Sequence, residues 1–186
     1  MIRRSTVVYI IVLLVVAGAY LILDRRAQQA GSLPPPEPTE EISFLFSAED
    51  GVPTSIRLQA GSGETVQVAR NAEGAWALDR PVEAAAKQGE AESAASQVTT
   101  MRILNRTPQI DLAVVGLTDP AYVLTVKFNS GTERTANIGV VTPTDSGYYV
   151  QDSSGGDVLI VSKSAVDALL RLLTNPPYLE TPTPRT

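Results

Sequence analysis

The sequence contains no cysteine and no histidine. These two absences exclude a disulfide framework, a thiolate zinc site, a Cys nucleophile and any His-based triad. They also remove the one side chain whose ordinary pKa lies near neutrality. Basic residues are in the minority, with 15 Lys and Arg against 20 Asp and Glu, so the formal charge is -5 over 186 residues. A nucleic-acid binder needs a basic face to neutralise phosphates, and no nucleic-acid partner is expected. A chain of this length forms one or two small domains.

One long apolar run stands out. From Ser5 to Leu23 the chain reads STVVYIIVLLVVAGAYLIL, 19 residues without a charge. As a helix it would span about 28 Å, close to the hydrocarbon thickness of a bilayer. It is apolar all round, which suits lipid better than a core helix with one buried face. Arg3 and Arg4 precede it, Asp24, Arg25 and Arg26 follow it, and Tyr9 and Tyr20 sit near its ends, where amphipathic rings favour the interface. The expected partner of this segment is therefore the lipid bilayer, crossed once, within an anchor of residues 1–26. The arginines and terminal amine before the run bias the N-terminus toward the cytoplasm, leaving the body of the chain extracytoplasmic. Ala17-Gly18-Ala19 also resembles a signal-peptidase site. The apolar run nevertheless continues through Leu23, which fits an uncleaved anchor. With no cysteine, a lipoprotein is excluded.

Residues 27–41, AQQAGSLPPPEPTEE, hold four prolines and no aromatic residue, and read as a solvated, extended spacer. Residues 180–186 read as a flexible tail, which leaves 42–179 as the folding domain. Charge splits along the chain. Residues 1–26 take four of the 15 basic and one of the 20 acidic residues, net +3, leaving 11 and 19 beyond, net -8. An acidic domain stays soluble and is repelled by anionic headgroups.

Within the domain, apolar residues alternate. Ser55-Ile-Arg-Leu-Gln59 and Thr65-Val-Gln-Val-Ala69 each put two branched residues on one face, separated by the turn residues Gly61-Ser-Gly-Glu64. Ile42 to Phe46 and Ala75 to Leu78 read as further short strands. A helix is expected over 84–104, with Ala91, Ala94, Ala95, Val98 and Met101 at helical spacing, and Thr107-Pro108 ends it. Gly89 favours a later start. The order then repeats. Tyr122 to Phe128 alternates, 134–138 pairs back across Asn129-Ser-Gly-Thr132, and 147–151 and 158–161 form another hairpin. A second helix follows, with Ser164 as cap, Asp167 as its capping-box partner, and Val166, Leu169, Leu170 and Leu173 on one face. The fold class is α+β: two antiparallel meander-plus-helix units, the pattern of an ancient duplication.

Several of these segments together carry a resemblance. Gly74-Ala-Trp-Ala-Leu-Asp-Arg-Pro-Val82 precedes a helix rich in small residues. Asp111-Leu-Ala-Val-Val-Gly-Leu-Thr-Asp-Pro-Ala121 precedes an alternating strand, then come Gly139-Val-Val and Gly147-Tyr-Tyr-Val150, and Val158-Leu-Ile-Val-Ser162 leads into an amphipathic helix. This order resembles the bacterial membrane-anchored family catalogued as domain of unknown function 4340. The resemblance implies a bacterial envelope protein, and it carries over no catalytic residue. Some relatives lie beside transporter components similar to those of gliding-motility export systems, which implies an accessory role with a membrane complex.

No arrangement of residues points to catalysis, and no catalytic, cofactor-binding or metal residue is assigned. Asp145, Asp152 and Asp157 fall in two loops without EF-hand spacing and read as solvated charges. Gly61-Ser-Gly63 and Ser154-Gly-Gly156 lack the strand-to-helix setting and lysine of a phosphate loop. Trp76, the single tryptophan, is expected in the core, Gly116 in a positive-φ turn, and Tyr148 and Tyr149 on opposite faces of one strand. The functional expectation is a non-catalytic interaction or scaffold module with an envelope-protein partner. A small-ligand or glycan binding module is the alternative.

Overall fold

The computed structural model describes residues 42–179 together with Ala17 and Tyr20. The expected span from Ser5 to Leu23 (those two positions apart), the spacer at 27–41 and the tail at 180–186 lie outside the described residues. Among the described residues no helix is long and apolar enough to cross a membrane. The chain divides into two compact units between Glu41 and Ile42, and the sheet and helices belong to the unit that begins at Ile42.

Alternation produces the expected ladders. Strands β1 (Pro53–Ala60) and β2 (Thr65–Arg70) bury Ile56, Leu58, Val66 and Val68 on one face and turn Arg57 and Gln67 to the other. β3 (Trp76–Arg80) continues the meander, and the two-residue β4 (Ala84–Ala85) closes it. In the second half β6 (Tyr122–Phe128), β7 (Glu133–Val141), β8 (Gly147–Asp152) and β9 (Val158–Ser162) run the same way. β5 (Ile103–Thr107) lies between the halves in sequence. Among the described residues the nine strands form one antiparallel sheet in the order β4-β3-β2-β1-β6-β7-β8-β9-β5. The two units expected from the sequence are thus fused: β1 pairs with β6 at the centre, and both belong to one sheet.

Two twelve-residue helices, α1 (Gln88–Thr99) and α2 (Lys163–Thr174), lie on one face of that sheet and touch each other. α1 buries Ala91, Ala94, Ala95 and Val98, whose small side chains allow close packing, and α2 buries Ala165, Val166, Leu169 and Leu172. With Trp76, Leu124, Ile138 and Val150 these make one continuous core. Burying a side chain of Leu size is worth roughly 1.5–3 kcal/mol, so this single layer dominates stability.

The elements differ from the sequence expectation at four points. The first helix is shorter than 84–104, because Ala84 and Ala85 are held as a strand by β3 and 103–104 by β9. Residues 42–46 form no full strand; only Phe44 bridges, to Arg102. Ser164 is not a cap, since α2 starts at Lys163 after Ser162, and Asp167 accepts a bond from the Tyr148 hydroxyl instead. A capping box does exist at Ser47 and Asp50, around a 3₁₀ turn over Ala48–Asp50.

The first hairpins of the two halves correspond residue by residue. The ladder from Ser55–Ala69 to Gln59–Thr65 has the same spacing as that from Val123–Asn137 to Lys127–Glu133. The ends are exchanged. The amide before α1, Lys87 N–H, donates to the carbonyl of Pro177, three residues past α2, at 2.8 Å. The amide before α2, Ser162 N–H, donates to the carbonyl of Arg102, three residues past α1, at 3.0 Å. So β5 finishes the second half, and Tyr178, bridged to Ala86, finishes the first.

The other face of the sheet is partly covered. Residues 110–117 fold over the second half, where Val115, Leu117 and Val158 form a small separate cluster joined by Ile110 and Tyr149. Gly116 takes φ 68° there. Gly139 has no side chain to hold off the Val115 carbonyl, and Val140 N–H donates to that carbonyl at 3.0 Å.

Candidate functional site

α1 and α2 do not close on each other along their whole length. The first turns of α1 and the last turns of α2, with the residues just past α2, leave an open groove of about 1060 Å³. Lys87, Gly89, Glu90 and Ser93 form one wall, and Arg171, Thr174 and Tyr178 form the other. Apolar floor comes from Ala94 and Leu172. The room follows from sequence, since Gly89 meets nothing within 4 Å where a Cβ would stand, and Ser93 is small. Lys87 pairs with Glu90 at 3.5 Å. The Arg171 guanidinium is exposed and makes no ion pair or hydrogen bond among the described residues.

The start of α1 is anchored to the sheet by a polar clamp. Gln88 accepts from Trp76 N–H at 2.7 Å and donates to the Trp76 and Ala86 carbonyls at 2.8 and 3.0 Å. The Trp76 indole N–H donates to Glu92 at 2.6 Å, while Arg70 pairs with Glu92 at 2.7 Å and lies 4.5 Å over the Trp76 ring. The expected core tryptophan is therefore also what ties α1 to the sheet.

The family comparison bears on this same region. A family model described as a domain of unknown function (DUF4340) matches residues 56–175, from β1 to the residue after α2. The chain belongs to that family. The matched stretch includes both groove helices and stops just short of Tyr178. No curated protein and no solved structure matches this DUF4340 chain.

The acidic loops of the DUF4340 domain do not converge. Asp145, at φ 57°, is held by Lys163, whose ammonium it stabilises and pushes above the usual lysine range. Asp152 folds back on its own turn. Burial works to raise its carboxyl, yet the Ser154 hydroxyl and amide, with Arg134 nearby, hold it below the usual range. Among the described residues no three acidic side chains gather closely enough to hold a metal ion. Tyr148 and Tyr149 do split between faces. Tyr148 enters the main core, where burial and the Asp167 carboxylate 2.8 Å away push its phenol up to about 12. Tyr149 packs on the small cluster under residues 110–117.

The uncovered part of the sheet is a mixed polar surface. Arg57 donates to Gln67 at 3.1 Å, Gln67 donates to Asp79 at 3.0 Å, and Lys127 pairs with Glu133 at 3.2 Å. Arg57 and Lys127 stand beside Asp79 and Glu133 there, so charges of both signs are interspersed. The groove was missed by sequence reasoning, because its walls come from segments some 80 positions apart and Tyr178 sits among prolines that read as irregular. The arginine in the last turn of α2 was the one local signal.

Proposed function

We propose that this chain is a single-pass protein of the bacterial cell envelope whose DUF4340 domain is a non-catalytic interaction or scaffold module. The observation that carries the reading is the uncharged run from Ser5 to Leu23 followed by the proline-rich spacer at 27–41. Lipid offers the backbone no partners, so such a run crosses as a helix, and the spacer holds the domain off the surface. The arginines before the run favour an extracytoplasmic domain, and an acidic domain avoids the headgroups. A membrane-protein partner, in an assembly of the transport type, follows from the resemblance to the family. The matching ladders of the two halves support an origin by duplication and fusion of one meander-plus-helix unit.

Two measurements test this. Carbonate-washed membranes are expected to retain the full-length chain, and its release into the supernatant overturns the anchor. Crosslinking in native membranes is expected to recover one repeated partner, and a folded protein that yields none overturns the scaffold role. A second reading, binding of a small ligand or glycan, is favoured by the groove between α1 and α2, whose volume and mixed lining suit a small polar molecule. A sugar that raises the melting temperature would select it.

A further inference from the structure

The exchanged ends of the two halves are not equally covered. Past α1, the stretch Met101, Arg102 and Ile103 carries the chain's own Ser43 to Leu45 on its outer side. Leu45 N–H donates to the Met101 carbonyl and Ile103 N–H to the Ser43 carbonyl, both at 2.8 Å, while Phe44 bridges Arg102. The corresponding residues past α2 are Pro176, Pro177 and Tyr178, at the same distance from their helix. There the Tyr178 N–H turns back onto the Pro176 carbonyl at 2.8 Å. Among the described residues no strand lies outside it.

We propose that this outer edge, together with the groove beside it, takes an extended peptide segment of a partner protein, one that carries an apolar residue next to a carboxylate. The inference rests on the interaction-module reading and names its surface and partner class. Backbone recognition is set by the equivalent edge: the incoming segment donates to the Pro176 carbonyl and accepts from Tyr178 N–H, exchanging one turn bond for two ladder bonds. The apolar side chain enters over Ala94 and Leu172, where Gly89 and Ser93 leave room. The carboxylate meets Arg171, whose guanidinium has no partner among the described residues. Within the groove Arg171 is a positive charge left for such a segment, since Lys87 is paired with Glu90.

The probe is a fluorescein-labelled peptide of residues 40–47, EEISFLFS, because this stretch supplies the segment seated on the equivalent edge and carries two carboxylates. Anisotropy with the full chain in mild detergent is expected to show saturable binding. Ser93→Trp, which fills the groove, is expected to abolish it, and Arg171→Glu to weaken it about tenfold, the effect of one lost charged contact. Circular dichroism and a melting curve check that both variants fold, and if Ser93→Trp does not, Arg171→Glu carries the test. Absence of saturable binding at millimolar peptide, or unchanged affinity in folded variants, overturns the proposal. Crosslinking separates the two readings. A partner recovered while the peptide fails to bind leaves the module standing and refutes this surface, whereas no partner and no peptide binding refute both.

Discussion

Gly139→Ala is expected to undock residues 110–117 from the sheet. An added Cβ would stand 2.1 Å from the Val115 carbonyl oxygen and 3.2 Å from the Val115 and Gly116 carbonyl carbons. These are backbone atoms, so no flexible side-chain tip can swing aside. Lifting the segment forfeits the Val140 N–H bond to Val115, worth about 1 kcal/mol. It also exposes Val115 and Leu117, now 2% and 5% accessible, at roughly 1.5–3 kcal/mol each. The full loss is about 4–7 kcal/mol, a large share of the roughly 5–15 kcal/mol that holds a domain together. Backbone shifts will recover part of it, so a drop of about 3 kcal/mol or more is expected. Urea unfolding followed by Trp76 emission reports the global transition, since Trp76 lies on the helix-covered face in the other half. Hydrogen exchange at Val140 reports the segment itself. A drop under about 1 kcal/mol with Val140 still protected would refute the close-approach reasoning.

Other substitutions probe other contacts. Gly89→Ala meets no neighbour and is expected to raise stability by up to about 1 kcal/mol in the same urea assay. Gln88→Ala removes three bonds to the Trp76 and Ala86 backbone and is expected to cost about 1–3 kcal/mol and to shift Trp76 emission. Because the Tyr148 phenol titrates higher in the fold than its ordinary value near 10, its contribution is complete below pH 10 and is lost as pH rises toward 12. Melting from pH 9 to 12 should show an alkaline loss of about 1–2 kcal/mol, reduced by screening, that Tyr148→Phe removes. Co-expressed fragments 1–108 and 109–186 should form one cooperatively melting complex, whereas 1–108 alone should show no cooperative transition.

Local pattern made most of the ladders legible. Ile56, Leu58, Val66 and Val68 alternate because one face of β1 and β2 is buried, and that period is visible in four residues. Strands whose state is imposed by a neighbour were not legible. Ala84 and Ala85 have no preference for extended backbone and are held by Ala77 and Leu78, while Ile103 to Thr107 bury little on either side and borrow their state from β9. Ser164 and Asp167 have capping-box spacing, but the Tyr148 hydroxyl is the donor that Asp167 finds, and it lies 19 positions away in sequence. The groove is the limiting case. No window of sequence holds both Ser93 and Tyr178, and only the exchange of ends sets them across one groove.

That exchange also governs when the protein becomes complete. A ribosome that has made β1 to β4 and α1 has made nothing finished, since β1 waits for β6 and Ala86 for Tyr178. The nascent chain must stay open until Tyr178 emerges. A message truncated, or a product clipped, just past α2 therefore damages the half that was synthesised first.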